Sequence, residues 1–437
     1  MNQEQLKKEV CKAIDKRSEE VVRIAQEILN NPELGFKEKH TASIVTHFFN
    51  SLKLPVKSNV AQTGVIASLE GKEKGPNVAL MGELDAVSTY GSPYANPDTG
   101  AAHTCGHHLQ VAIMLAVAAA FVDANIQNSI AGTLTFMGVP AEEYVELDWR
   151  LSQVKEGKLH FLGGKQEMVY QGIFDDVQMA IITHALGNMP EAALGVCNGS
   201  NGFVGKTIHY IGKAAHAAAT PHEGINALNA AMLGLMGVHA LRETFRDEDH
   251  IRVHPIITKG GDTVNNVPAD VRLEAYVRGR TPESIEDAHK KVDRALRAGG
   301  DAVGAKTEIQ TIPGYLPLSC SSEMNDIFLD NSRQLISSDK VSNIGDFAAS
   351  TDMGDISQLI PSIHAFMGGV DGTLHTPDYR VADYNAAVIL PAKAVAMTII
   401  DLMTNGAEKA EGIIERFKPS FTIEEYIKQQ ESYWNCQ

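Results

Sequence analysis

The residues best equipped for chemistry lie in His103-Thr104-Cys105-Gly106-His107-His108, between a Gly/Pro/Asn-rich loop at 91–100 and an apolar run. A thiolate and imidazoles so close together suit a borderline-soft divalent metal, and the intervening glycine allows a backbone tight enough to bring the donors together. A buried cysteine beside a helix-capping histidine would leave the same trace, so the cluster alone decides little. Gly138-Val139-Pro140-Ala141-Glu142-Glu143 adds two adjacent carboxylates just past an apolar strand, where open α/β sheets place their ligand crevice. Adjacent side chains point apart, so one can grip a metal while the other faces its bound water. His184 ends the apolar strand 179–183, and His375 sits in Gly372-Thr373-Leu374-His375-Thr376-Pro377, soon after a strand that ends near Met367. Singly, a histidine is more often a satisfied hydrogen-bonding residue than a ligand. Four metal-ligand candidates at strand ends carry more weight together, and they point to a metal centre.

Such a centre needs a scaffold, and the chain has the means to build one. Its 437 residues favour two domains, and 44% hydrophobic with 21% charged residues is ordinary globular composition. A net charge of −16 with no compensating basic run argues against nucleic acid as a partner. It leaves room for a small anionic substrate, because ions and a few cationic side chains set the field inside a cleft. Five scattered cysteines (Cys11, Cys105, Cys197, Cys320, Cys436) do not form a disulfide framework and fit a reducing cytoplasm. The N-terminus lacks the pattern of a secretory signal, and the apolar run 111–122 is too short to span a bilayer, so no membrane anchor is expected.

Hydrophobic periodicity predicts an amphipathic helix over 3–30, strands at 65–69 and 78–84, a helix over 109–124, and strands at 133–139 and 179–183. This alternation implies an α/β layer with a central, mixed but mostly parallel sheet flanked by helices. The pattern then changes to strand 202–211, helix 226–245, strands 252–258 and 271–279, helix 281–298 and strand 307–312, a β-α-β-β-α-β order of ferredoxin-like type. The first pattern resumes with a strand at 363–367 and a helix over 386–403. The expected organisation is a discontinuous metal-binding domain, 1–200 and 314–437, interrupted by an inserted domain at 201–313. The tail from residue 417 is polar but holds Tyr426, Tyr433 and Trp434, and the pattern gives it no role.

Taken in order, Asn31-Pro-Glu-Leu-Gly-Phe-Lys-Glu38, Cys105-Gly-His107, Pro140-Ala-Glu-Glu143, Ala215-His216-Ala217-Ala218 with Gly224-Ile-Asn-Ala-Leu228, Asn266-Val-Pro268 and Leu374-His375-Thr376 resemble the aminoacylase and carboxypeptidase-type amidohydrolases, metallopeptidase family 20. The likeness runs from about residue 20 to 405 and is similar to the branch with hippurate hydrolases. Ser350-Thr351-Asp352-Met353-Gly354-Asp355 with Pro361-Ser362-Ile363-His364 resembles the aminobenzoyl-glutamate hydrolase and dipeptidase-like members more closely.

The resemblance implies two divalent ions (zinc, manganese, cobalt or nickel) held by Cys105, His107, Glu143, His184 and His375, with Cys105 shared. It implies Glu142 as general base and Asp85 as support for a ligand. His216 would lie in an inserted lid that also forms a homodimer, and Asn266 and Arg278 would hold the substrate's carboxylate or amide. The implied reaction is hydrolysis of the amide bond of an N-acyl amino acid, an aminobenzoyl-glutamate-like conjugate or a dipeptide. Three positions depart from the pattern: His108 stands where Asp or Asn is usual, Gln110 where a further His often follows, and Glu83 where relatives carry a metal His or an Asp. Two other readings stay open, a catalytically altered member serving as a binding subunit and a hydrolase of a cyclic amide or amidine.

Overall fold

The fold is taken from a computed structural model that describes residues 2–187, 189 and 193–434; Cys436 lies outside them. The chain divides into two compact units. The first comprises 1–199, 319–347 and 355–423; the second comprises 200–318, 348–354 and 424–437.

The first unit is built on an eight-stranded sheet. Its strands are β1 (Val56–Val60), β2 (Gly64–Glu70), β3 (Glu73–Glu83), β4 (Ala131–Val139), β5 (Met179–Ala185) and β6 (Leu194–Val196), with β11 (Val341–Asn343) and β12 (Ser362–Met367) from the returning chain. The order across the sheet is β1-β2-β4-β3-β5-β12-β6-β11. The central pairs β4/β3, β3/β5 and β5/β12 are parallel, while β1/β2, β2/β4 and β12/β6 are antiparallel. Strand β4 and the second half of β3, residues 78–82, are nearly continuous buried runs because helices cover them.

Helix α1 (Gln3–Asn30) starts at a capping box between Asn2 and Gln5 and buries Val10, Ile14, Val21 and Ile28 along one stripe. Helix α2 (Lys39–Ser51) follows it, and α3 (His107–Asp123) is buried on almost every face between α1 and the sheet. Helix α3 starts at His107, two residues earlier than the periodicity predicts, because Gly106 turns the chain with φ of +89°. A side chain at Gly106 would meet Ala185 Cβ at 2.8 Å and Tyr379 Oη at 3.1 Å. A helix predicted over 386–403 opens as a π-turn (Asn385–Ile389) before α-helix Leu390–Met403. The segment Asn385–Met403 has the length and apolarity to cross a membrane, but 89% of it is buried in the protein, as befits a core helix.

The second unit holds a four-stranded antiparallel sheet of β7 (Gly202–Ile211), β8 (Arg252–Lys259), β9 (Asp270–Gly279) and β10 (Lys306–Ile312), ordered β8-β9-β7-β10. Two helices pack on it, Ala227–Ala240 and Pro282–Val303. The first stops at Ala240, short of residue 245, and gives way to a 3₁₀ turn, Arg242–Thr244. The second starts at a Thr281/Ser284 capping box with Pro282 in its first turn. Among the described residues, the tail from Glu424 to Trp434 groups with this unit by contact. Helix Ile423–Trp434 sends Tyr433 into the unit's core, edge-on to His289 at 5.7 Å.

Candidate metal centre

Two strand ends, one helix start and two loops of the first unit deliver the donors. His107 opens α3, Glu143 follows β4, and His184 lies inside β5 rather than beyond it. His375 comes from a loop and takes a left-handed backbone, φ +63°, a strain that recurs at functional sites. The structure brings all five predicted ligands together. The donor atoms of Cys105, His107 and His184 lie within 4.8 Å of one another, as do those of Cys105, Glu143 and His375. Cys105 belongs to both groups. Its Sγ is 3.3 Å from His184 Nε2, and Glu143 Oε1 is 2.9 Å from His375 Nε2.

The outer nitrogens of two histidines are fixed from behind. His107 Nδ1 is 2.9 Å from the Asp85 carbonyl oxygen, and His184 Nδ1 is 2.6 Å from that of Ala185. A carbonyl only accepts, so each Nδ1 carries the proton and each Nε2 is aimed at the centre as a donor atom. His107 Nε2 is fully buried and makes no hydrogen bond, which is costly in a polypeptide but natural for an atom that binds a cation. Residues of this type and placement fit a pair of divalent ions. The thiol suits them too. Burial and the Glu143 charge push it up, but His184 and His107 outweigh them and bring Cys105 from 9.0 down to about 6. Burial alone would lower His375, yet hydrogen bonds to Cys105 and Glu143 raise it to about 11.

Asp85 is fully buried behind the ligands. Its Oδ1 lies 3.4 Å from His107 Nδ1, and its Oδ2 accepts from the Glu143 backbone N–H at 2.8 Å. It thus orients two ligands at once. Glu142 is 7% exposed, with Oε2 3.9 Å from His107 Nε2. His216, Asn266 and Arg278 all lie in the second unit. His216 and Asn266 are joined by an antiparallel bridge. His216 Nδ1 accepts from the N–H groups of Ala218 and Ala219, which leaves Nε2 as the donor of the neutral ring. Arg278 donates to Ser350 Oγ at 2.6 Å and stacks near Phe203 and Tyr276.

Several supporting residues escaped the sequence reading. Arg150, fully buried, donates to the carbonyls of Leu162 and Glu143 at 2.6 Å each and so anchors the Glu143 backbone. Glu38, the last residue of the Asn31 motif, accepts from Ala141 N–H at 2.8 Å and from Thr63 Oγ1 at 2.5 Å. It ties the loop carrying both carboxylates, where Ala141 has φ of +53°, to the start of α2. Glu83, noted in the sequence only as a departure, ends β3 beside His107, and its Oε2 is 3.2 Å from His107 Nε2.

Burial and the nearby Asp85 charge raise Glu38 from 4.5 to about 8. A carboxyl whose folded value is raised contributes stability fully below pH 4.5 and loses it as pH climbs through about 8. Glu38→Gln keeps an acceptor for Ala141 and stays neutral throughout. Its melting temperature should match the wild type at pH 5 and exceed it at pH 9. Parallel pH profiles for the two proteins would remove this assignment.

Known proteins resemble this chain in sequence and in fold. The family model "Peptidase family M20/M25/M40" matches residues 79–401. A Xaa-Arg dipeptidase of Mus musculus is 29% identical over 97% of this chain and 95% of its own length. One of the two subunits of the p-aminobenzoyl-glutamate hydrolase of Escherichia coli K12 is 30% identical over 73% of this chain and 62% of its own. Among solved structures, a Bacillus subtilis dinuclear metal binding peptidase from the M20 family has a TM-score of 0.68 at 19% identity, covering 89% of this chain and 99% of that one. A putative aminohydrolase from methicillin-resistant Staphylococcus aureus has a TM-score of 0.76 at 20% identity, covering 90% and 99%; both share the fold. With most of its length matched by the family model, the chain belongs to peptidase family M20/M25/M40 and is a metal-dependent hydrolase of amide bonds.

Proposed function

We propose that this enzyme uses two divalent ions to hydrolyse the amide bond of an N-acyl amino acid, an aminobenzoyl-glutamate-like conjugate or a dipeptide, next to a free carboxylate. The observation that carries the reading is the pair of donor groups sharing Cys105, with Glu142 beside them. Relatives named as a Xaa-Arg dipeptidase, an aminobenzoyl-glutamate hydrolase subunit and an N-acyl-L-amino acid amidohydrolase support the substrate class. Bound in these shells, the ions supply Lewis acidity and a water of lowered pKa. Glu142 accepts the proton of the attacking water and returns it to the leaving nitrogen. Asp85 and Arg150 keep His107 and Glu143 in place while this happens. The family resemblance assigns His216 to the developing oxyanion and Arg278 or Asn266 to the substrate carboxylate.

The test is a screen of N-acyl amino acids and dipeptides with metal-stripped protein reloaded with zinc, manganese, cobalt or nickel, scoring released amino acid against released ammonia. Amino acid release supports the proposal. Ammonia alone would favour a cyclic amide or amidine, and no turnover with any ion would favour a binding subunit.

The same proposal includes a cytoplasmic enzyme acting as a homodimer through the inserted unit. Cys11, Cys105, Cys197 and Cys320 are all free thiols. On the inserted unit, Met232, Leu233 and Met236 are exposed on helix Ala227–Ala240, and Ile256 and Ile257 are exposed on β8, an edge strand. Met236→Glu combined with Ile256→Lys should turn a dimer into a monomer in sedimentation analysis. An unchanged sedimentation coefficient would place the interface elsewhere.

A further inference from the structure

Glu83, Gln110 and Lys165 form a buried cluster against the metal centre that neither the fold nor the proposed reaction accounts for. All three side chains are fully buried. Lys165 Nζ donates to Glu83 Oε1 at 2.6 Å, and Gln110 Nε2 donates to Oε2 at 2.8 Å. The Glu83 backbone N–H in turn donates to Gln110 Oε1 at 3.2 Å, so the carboxylate is clasped from both sides. Lys165 reaches it from helix Gly164–Tyr170, which begins against the Glu142 loop because Gly164 has no side chain to strike the Pro140 carbonyl.

What remains of Glu83 faces a ligand. Its Oε2 lies 3.2 Å from His107 Nε2, and the proton of that ring sits on Nδ1 against the Asp85 carbonyl. A carboxylate oxygen and a ring nitrogen this close in a buried space need a positive charge between them, a ring proton in the metal-free chain, where Glu83 helps raise His107 well above its usual range, and a metal ion once one is bound. Donors to one ion, each about 2.0–2.2 Å from it, stand roughly 3 Å apart. Cys105 Sγ and His184 Nε2, at 3.3 Å, show the same spacing. Glu83, His107 and Glu142 also have donor atoms within 4.8 Å of one another.

We propose that Glu83 is a further ligand of the ion held by His107, and that Lys165 and Gln110 are positioning residues that fix its carboxylate. The inference rests on the dinuclear reading and deepens it. An added carboxylate makes that shell richer in oxygen, which favours a harder ion such as manganese more than a thiolate and imidazoles alone would. Lys165 offsets part of the added negative charge.

The test titrates chelator-stripped full-length protein with zinc, manganese and cobalt, following ions per chain, affinity and the visible spectrum of bound cobalt. Wild type should take two ions. Glu83→Gln should weaken one of them at least tenfold, leave the other, and change the cobalt spectrum. Because Glu83→Gln strands the Lys165 charge, the pair Glu83→Gln with Lys165→Met is run beside it to remove both charges together, with the same expected loss. In Lys165→Met alone, the carboxylate regains a cation only when metal binds, so metal should raise its melting temperature more than it raises that of wild type. A double variant with wild-type affinities and spectrum overturns the assignment of Glu83 alone. A wild-type chain that binds no ion overturns both this assignment and the dinuclear reading.

Discussion

Glu142→Gln should lower kcat by about 100- to 10,000-fold, the usual contribution of a positioned general base, while both ions stay bound. The two carboxylates at the end of β4 divide the work by geometry. Glu143 is anchored at its backbone by Asp85 and Arg150 and turned toward His375. Glu142 is buried too, its Oε2 3.9 Å from His107 Nε2. Glutamine preserves the volume and one acceptor but takes up no proton, so binding survives and turnover does not. The measurement pairs kcat on the best substrate with metal content by mass spectrometry. A variant that keeps near-normal turnover would sink the role of Glu142, and one that loses metal would make it a ligand instead.

How much of this was legible in the sequence depended on whether the partners of a residue lie in its own pattern. The parallel core was readable because β3, β4 and β5 are apolar runs bounded by turns, and the inserted unit because its strands alternate. Strand β1 escaped because its residues are largely exposed, and β6 and β11 because three residues carry no period. The tail helix escaped because its buried face is Tyr426, Gln430 and Tyr433, not an aliphatic stripe, with Tyr433 in the inserted unit's core. The five proposed metal donors stood out by chemical type, at two strand ends, a helix start and two loops. Arg150, Lys165 and Glu38 did not, since a charged residue is read as solvent-facing by default. Their buried partners are separated from them in sequence: Lys165 meets Glu83 across 82 residues, and Glu38 meets Ala141 across 103. Of the three departures, Gln110 and Glu83 explain each other, because the amide of one clasps the carboxylate of the other. His108 remains without an account: it is fully buried, makes no hydrogen bond through either ring nitrogen, and burial with the His107 charge lowers it to about 3.

Cys105→Ala carries the second large effect, because it removes one donor from both groups at once. The thiol is brought to about 6 by the charges of His184 and His107 against its own burial, so near neutral pH the metal-free site holds a thiolate beside imidazolium rings, whose protons an arriving ion displaces. In the alanine variant each ion keeps only two of its three shared-group donors, His107 with His184 or Glu143 with His375. The expected result is loss of at least one ion per chain and a fall in turnover of roughly 1,000-fold or more, the scale of losing a metal's electrostatic stabilisation outright. The fold should persist, since the residues around Cys105 belong to an α3 and sheet core that does not depend on the sulfur. Cys105→Asp distinguishes a shared donor from a merely buried thiol: a carboxylate has two oxygens with which to serve both ions, so it should recover metal and part of the activity where serine recovers little. Two tightly held ions in Cys105→Ala would mean that the sulfur only lines the site, and the two donor groups would then have to be assigned to separate, unconnected ions.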